Sequence, residues 1–568
     1  MRIIWRCLTV MAPLTTVFTF NAAALEHAPA NNTQVLSQHN AALIESVQRQ
    51  LPHTSLDKNQ QYEELAWFVA ASKSLRGTSI RVVAEDLAVH RYEADILTKL
   101  FYELTGIRVN FEITEEDDLV KKLQVQMDMG LHIYDAYVND ADFIGTHYRR
   151  GVTVPISDYI SNQWKQHTLP TLDLADFIGT IYTTSPSGVL YQLPSQQFAS
   201  LYWYRHDWFT RAEFKEKFIA KYGYPLGVAK DWQSYEDIAN FFTNDIKYID
   251  NIKVWGHSDY GGADPSVGWR ISDGWLSMAG ASDLGLPNGQ PVDDWGIRVE
   301  GCQPVGASVE RGGALNSPAA IYSLEKYLSW LKLYANPNTI KNSFKHTDIT
   351  LGQGDVAQQI FFYTAFVPEL MSRNKLTSPD GEPLWRLAPS PVSSYWKAGM
   401  KNGYQDIGAW TFLKNTPEEK LISAWLFAQF TVSKSVTTEK FLVSGSFIRQ
   451  TDIQSDFVTE NAPRFGGLVE FYRSKIRDLW TPTGTNVPEY AYLTSAWWQH
   501  IIPALNNLVT PTEAMNNLAH EIDERLIQIA EKYPNMECPP KLNNIQKAEL
   551  WLKTDSAPWP KLPEQYIK

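Results

Sequence analysis

Between Ser79 and Val138 the apolar positions change period several times. Ile80, Val82 and Val83 form a short apolar run of the kind shown by a buried strand. Ile96, Leu97, Leu100, Phe101 and Leu104 then fall on one face of a helix, and Gly106 predicts its end. Ile107, Val109, Phe111 and Ile113 alternate as a second strand, Leu119, Val120, Leu123 and Met127 mark a second helix ended by Gly130, and Tyr134 to Val138 read as a third strand. The order is βαβαβ, so the pattern predicts an α/β fold with a mostly parallel sheet covered by helices on both faces. Residues 25–75, before this unit, are polar and helical in character and end at Arg76-Gly77; they read as an N-terminal helical extension.

In sheets of this kind ligands bind in the crevice beyond the carboxyl ends of the strands. The segments just past the three strands are Glu85-Asp86, Glu115-Glu116-Asp117 and Asn139-Asp140-Ala141-Asp142, all rich in carboxylates. Any one of them alone is an ordinary solvated loop. Three at one sheet edge point to a polar binding cleft.

Composition narrows the class of protein. With 44% hydrophobic and 20% charged residues over 568 positions, the chain can bury one or two sizeable cores. Arg2 and Arg6, the apolar stretch Cys7 to Phe20 and Ala22-Ala23-Ala24 read as a cleavable secretory signal over residues 1–24. A membrane anchor is the other reading, but the stretch is 14 residues with four threonines and Pro13, short of the roughly 20 that a spanning helix needs. Removing it takes the formal charge from -12 to -14, which argues against nucleic acid and anionic lipid as partners. Cys302 and Cys538 then remain, and an even pair in an oxidising compartment favours a disulfide over a metal or catalytic site.

The order of segments resembles the bacterial extracellular solute-binding proteins of carbohydrate ABC importers, the group that contains maltose-binding protein. The resemblance is carried by Leu104-Thr105-Gly106-Ile107-Arg108-Val109, by Tyr134 to Asp140, by Gly151 to Asp158 and by Gly188 to Pro194 followed by Leu201 to Phe209. It continues through Asp231-Trp232 with Glu236-Asp237 as a helix start, Gly354-Asp355-Val356-Ala357 as a helix, and the helix of Ala424 to Phe427 with Phe430. Within the family the chain is most similar to long, glycerol-binding-type members, through Val138 to His147, Gly403 to Trp410 and Pro482 to Pro488. Phe362-Tyr363-Thr364 stands where many sugar binders carry Gly-Pro-Trp, and Asn139 where maltose-binding protein has a stacking tryptophan, so a solute smaller than an oligosaccharide is implied.

The resemblance implies two lobes, each a mostly parallel sheet flanked by helices, with the ligand cleft between them: 76–198 plus 386–447 as the N-lobe, 199–385 plus 448–568 as the C-lobe. It implies a periplasmic substrate-binding component of an ABC importer that closes on a small polyhydroxylated solute (glycerol, another polyol or a sugar) and delivers it to the membrane permease subunits. It further implies a monomer with no cofactor, no metal and no catalytic residue.

A polyol needs carboxylates and amides for its hydroxyls and aromatic faces for its C–H surface. Asp140 and Asp142 can accept hydroxyl protons, or cap the helix after Phe143. Asn139 supplies donor and acceptor from the same loop, Glu85 reaches in from the first strand or stays at the surface, and Gln197 binds ligand or braces the lobe crossing. Trp203, Tyr260, Trp269, Tyr363 and Trp410 are the aromatic candidates, each beside a polar or glycine-containing segment. Asp273, four residues after Trp269, shares its helical face, and Asp406 lies on the expected return strand near the cleft.

Two rivals use the same residues. Adjacent carboxylates such as Asp293-Asp294 or Glu115-Glu116 offer the acid and nucleophile of a secreted carbohydrate-active enzyme, although such runs are commonly solvated charge. His520-Glu521-Ile522-Asp523-Glu524 begins like a zinc-protease motif but lacks the second histidine one turn on, and no P-loop, dinucleotide fingerprint or nucleophile elbow is present. The two-lobed fold also serves as a ligand-binding receptor for sensor systems.

Overall fold

The computed structural model describes residues 30–534 apart from 141–142, 186, 282–293, 301–302, 397–401, 475–476, 478–479 and 482–486. The secretory signal, Asp142, Asp293, Cys302 and Cys538 lie outside the described residues, as does the 482–486 part of the glycerol-binding resemblance.

The βαβαβ pattern is what the backbone adopts. Ser79–Glu85, Arg108–Thr114 and Ala136–Asp140 run parallel, with Ser79 opposite Arg108, Glu85 opposite Thr114 and Val82 opposite Ala136. Val82, Val83 and Ala84 are fully buried, as a strand covered on both faces requires. The helices between the strands end at Gly106 and Gly130, whose φ of 68° and 61° lie in the left-handed region that a side chain rarely adopts. Gly408–Thr411 and Leu193–Pro194 complete a five-stranded sheet in the order Arg108–Thr114, Ser79–Glu85, Ala136–Asp140, Gly408–Thr411, Leu193–Pro194. The last two pair antiparallel, so the chain re-enters this sheet from the far side.

The second sheet is built around Phe198–Tyr204, whose seven residues are all buried. Gln358–Tyr363, Arg386–Ala388 and Asn402–Asp406 all pair antiparallel with it, and Trp480–Thr481 adds to Asn402–Asp406. Each sheet has its own apolar core. Ile80, Val82, Phe101 and Trp425 belong to one; Leu201, Trp203, Phe362 and Leu387 pack on one side of the second sheet, and Tyr202, Trp232, Trp275 and Trp330 on the other. Trp232–Asn240 starts where expected, with Asp231 Oδ1 accepting from the Ser234 N–H at 2.7 Å. Glu418–Thr431 likewise forms the helix expected around Ala424 to Phe430.

The N-terminal segment contains the helices Ala30–Gln50 and Lys58–Ala71; Ile44, Val47, Leu51, Leu65 and Phe68 share the core of the first sheet, and the Phe68 ring meets Phe430 edge-on at 5.4 Å. Two expectations are corrected. Arg386–Ala388 and Asn402–Asp406, expected in the N-lobe, pair in the second sheet, with Leu387 opposite Trp203 and Asp406 opposite Phe198. The crossing expected near 386 is therefore at Ile407, between Asn402–Asp406 and Gly408–Thr411. Gly354 to Ala357 is not helical but the turn that feeds Gln358–Tyr363, with Val356 bridged to Trp255.

The chain also passes between the sheets at 195–197, and buried polar groups hold this point. Lys440 Nζ donates to Glu93 Oε1 at 2.6 Å and to the carbonyl and hydroxyl oxygens of Ser195 at 3.0 Å each. His90 adds a contact to Glu93 at 2.9 Å. Burial alone raises the Glu93 carboxyl, but the Lys440 ammonium and His90 outweigh it and bring it down to about 2. The helix widens to a π turn over Glu93–Leu97, at the start of which Glu93 makes these contacts. Beside it, the Gln197 N–H donates to Ser446 Oγ at 2.8 Å and the Tyr472 hydroxyl donates to the Gln197 carbonyl at 2.9 Å.

Candidate ligand-binding cleft

The carboxyl ends of the first sheet face the second lobe across a cavity of about 310 Å³. Glu85, Asp86, Glu115, Glu116 and Asp117 line it from the first lobe; Asp264, Ser266, Trp269, Phe344 and Glu369 are among the groups opposite. A neighbouring cavity of about 710 Å³ continues between the Glu116–Met129 helix and Tyr490–Leu505, and Glu116, Asp117, Pro265 and Trp269 border both.

On the first-lobe wall Glu85 ends its strand half-buried, and Gln196 Nε2 donates to its Oε1 at 3.1 Å. Burial, with Asp406 and then Asp86 nearby, pushes the Glu85 carboxyl up to about 8 against the pull of that hydrogen bond. Glu116, in the first turn of its helix, lies well above the usual carboxylate range; burial is the main cause, followed by Glu85, Asp117, Asp406 and Asp273. Both shifts favour the neutral carboxyl forms of Glu85 and Glu116, which donate as well as accept. Gln196 is fully buried, and among the described residues its Oε1 meets no hydrogen-bond partner.

The second-lobe wall is aromatic. Phe344 sits among four rings: its centroid is 4.8 Å from Phe366, 5.1 Å from Trp269, 5.5 Å from Tyr363 and 6.2 Å from Tyr260. Arg270, next to Trp269, anchors the group from beneath. Its guanidinium donates to Asp259 at 2.8 and 3.1 Å and to the Ile360 carbonyl at 2.6 Å, also reaches the Phe361 carbonyl, and lies 4.9 Å from the Tyr260 ring. Asp259 is completed by the Tyr260 N–H at 2.8 Å and the Trp275 indole at 3.3 Å. The carbonyls are offered because Gln358–Tyr363 bulges between Gln359 and Phe362, with Phe361 at a φ of 52°. Where the two walls meet, the Tyr363 hydroxyl donates to Asp406 Oδ2.

Of the residues named from sequence, Glu85 and Trp269 line the cavity, Tyr260 and Tyr363 stand behind it around Phe344, and Asp406 and Asp273 join Glu85 in the field at Glu116. Asp273 Oδ1 also accepts from the Trp295 indole at 3.2 Å. Asn139 is buried in Ala136–Asp140 opposite Ala409, with Oδ1 unpartnered among the described residues. Asp140 ends that strand opposite Gly408. Gln197 is buried and is not among the residues lining the cavity; its Oε1 lies against Gly179. Trp203 and Trp410 do not join the site. Trp203 is packed in the second-lobe core, and the fully buried Trp410 donates to Thr431 Oγ1 at 2.8 Å within the first.

The sequence reading missed Gln196, Phe344 and Arg270, and it named Glu116 only within the acidic Glu115-Glu116-Asp117 segment. Gln196 is one position from Gln197, and along extended chain that single step reverses the face. Phe344 and Arg270 carry no local pattern that ties them to a cleft. Among the described residues no group of three or more His, Cys, Asp or Glu is placed to hold a metal ion.

The model of the bacterial extracellular solute-binding protein family matches residues 90–437. The chain belongs to that family. This extracellular solute-binding protein shares its fold with a ribitol complex of an ABC transporter solute-binding protein from Agrobacterium radiobacter K84, at 17% identity and a TM-score of 0.60 over 79% of this chain and 99% of that one. A D-mannitol-bound solute-binding protein from Agrobacterium vitis S4 matches at 18% and 0.58 over 81% of this chain and 100% of its own. A maltose-bound protein of T. maritima matches at 15% and 0.59 over 79% and 100%. Comparison with curated proteins gave no match. The solute-binding protein is a binder and not an enzyme, as its family and its structural neighbours are. No helix among its described residues is long and apolar enough to cross a membrane.

Proposed function

We propose that this solute-binding protein is the periplasmic receptor of an ABC importer and captures a small polyhydroxylated solute, a polyol or a sugar, by closing its two lobes. The observation that carries the reading is the cavity itself: carboxylates at strand ends on one wall, and an aromatic corner of Trp269 and Phe344 on the other. Hydroxyl groups pair with the first wall and C–H faces with the second. The ribitol, mannitol and maltose held by proteins of the same fold are solutes of this class. Chain passes at 195–197 and 407 form the hinge, and closure buries the solute and presents a joined surface to the permease subunits. Export by the N-terminal signal, a monomeric state and the Cys302 to Cys538 bridge belong to the same reading.

The test is thermal unfolding of residues 25–568 with glycerol, pentitols, hexitols, mono- and disaccharides, since a ligand of the folded state raises the melting temperature. A saturable rise with a compact polyol or sugar, lost in Trp269→Ala, is expected. No rise with any of them overturns the reading.

A further inference from the structure

We propose that the solute is amphipathic: a polyhydroxylated head in the smaller cavity carries an apolar substituent, an aryl or short alkyl group, that lies in the larger one; this rests on the cleft being the solute site. Continuity is the first ground. The cavity of about 710 Å³ adjoins the smaller one, and Glu116, Asp117, Pro265 and Trp269 border both. Its walls come from both lobes, Val120 and Val125 of the Glu116–Met129 helix on one side and Trp498 and Ile529 on the other. The closure that buries a head group in the smaller cavity therefore also closes on whatever that head carries into the larger. At about 310 Å³ the smaller cavity stands at the low end of ligand sites, which run from roughly 300 to 1,000 Å³.

The second ground is that polar groups around the larger cavity are taken up by one another. Arg150 of the first lobe donates to Glu489 Oε1 of the second at 2.9 Å, reaches the other oxygen of that carboxylate, and pairs with Asp128 at 2.5 Å. Gln124 Nε2 donates to Asp128 Oδ1 at 3.0 Å, Ser495 Oγ accepts from Arg525 at 2.7 Å, and Gln528 Oε1 accepts from the Tyr492 hydroxyl at 2.6 Å. Thr494 Oγ1 has no partner among the described residues, and it serves a single atom of a solute. A second sugar ring would have to break these bonds or leave its own hydroxyls unpaired, and either costs free energy. Third, apolar surface shows from both walls: Val125 and Tyr492 are each 43% exposed, and Trp269 and Trp498 are half-buried. An aryl or alkyl group covers that surface without asking for a hydrogen bond. Trp269 borders both cavities, so one ring serves the head and its substituent.

The experiment is titration calorimetry with matched series that differ in one substituent: glycerol and 3-phenoxy-1,2-propanediol; D-glucitol and 1-O-phenyl-D-glucitol; D-glucose, phenyl β-D-glucoside and cellobiose. The expected result is that in at least one series the phenyl member binds at least about tenfold tighter than its parent, with a more negative heat-capacity change, and that cellobiose binds no tighter than phenyl β-D-glucoside. Val125→Glu, a change at a half-exposed helix position, removes the preference by setting a charge against the ring, and Trp498→Ala serves as a second variant. A parent binding as tightly as its phenyl member overturns the inference and leaves the polyol reading standing. Cellobiose binding tighter than phenyl β-D-glucoside overturns it in favour of a sugar ring in the larger cavity. A phenyl preference that survives both variants also overturns it, and no binding by any member of the panel overturns both readings.

Discussion

The two walls of the cleft carry their polar groups in different ways. The first-lobe wall displays carboxyl groups at strand ends and at a helix start, half-exposed and short of partners. On the second-lobe wall Asp264 and Glu369 line the cavity beside the rings of Trp269 and Phe344, and a buried ion pair, Arg270 with Asp259, lies beneath those rings. A carboxylate needs no scaffold beyond the strand that ends at it, whereas rings meeting at set angles need something rigid behind them, and a satisfied ion pair is rigid because every donor has an assigned acceptor. The first wall is therefore adjustable by protonation and the second by packing, and substitutions separate the two.

The largest effect is expected from Arg270→Met. It leaves Asp259 buried beside an uncharged side chain and strips the Ile360 and Phe361 carbonyls of their donor, a loss of about 3–5 kcal/mol. Denaturant unfolding measures it; a loss below about 1 kcal/mol would show that the rings hold themselves up. Lys440→Met tests the anchor behind the opposite wall, with about 3 kcal/mol expected because Glu93 is left buried and unpaired. The sign of its pH dependence follows from the depressed Glu93 carboxyl. Its contribution is present above the ordinary carboxylate value near 4.5 and is lost as pH falls towards about 2. In the wild type, unfolding free energies therefore fall across that window; in Lys440→Met the fall is shallower.

The asymmetry also explains what was legible in the sequence. A carboxylate wall assembled from strand ends follows from strand order alone, so Glu85 and the acidic loops were found where the βαβαβ pattern put them. The aromatic wall is assembled from segments about 75 residues apart, Tyr260 to Trp269 and then Phe344, which no periodicity joins. Trp203 and Trp410 have neighbours much like those of Trp269 along the chain, yet they pack in cores, because a tryptophan's surroundings are decided by the elements that fold over it. The second sheet shows the same limit. Asp406 was expected on a return strand, but nothing local says that Phe198–Tyr204, rather than the first sheet, is the partner of Asn402–Asp406.

Trp269→Ala sharpens the contrast at an intermediate scale. Trp269 is half-buried and borders both cavities, so its removal deletes ligand contact and little of the core. Binding of the responding solute weakens by about 2 kcal/mol, roughly thirtyfold, while the melting temperature of the empty protein moves little. Trp203→Ala is the converse: a core cavity costs about 3–5 kcal/mol of stability, and affinity in the surviving folded fraction is unchanged. Equal effects of the two on affinity would place Trp203 in the site after all.

The smallest effect, and the one that most directly probes the first wall, is that of Glu85→Gln on the empty protein. Glu85 has a raised carboxyl value in the folded state, about 8 against an ordinary 4.5. In such a case the folded form binds more protons than the unfolded form between those two values, so stability is full below about 4.5 and declines as pH rises through about 8. Glutamine keeps the shape and cannot ionise. The variant is therefore expected to match or fall slightly below wild type at pH 4.5, where the neutral carboxyl accepts from Gln196 as the amide does, and to exceed it at pH 8.5. Each unit of displacement is worth about 1.4 kcal/mol, so a gain on the order of 1 kcal/mol at the alkaline end is the least that this environment predicts. Melting curves of the two proteins at both pH values decide the matter. Curves separated by the same interval at both would mean that Glu85 ionises in the open cleft as it does in water, and the first wall would then be an ordinary solvated edge.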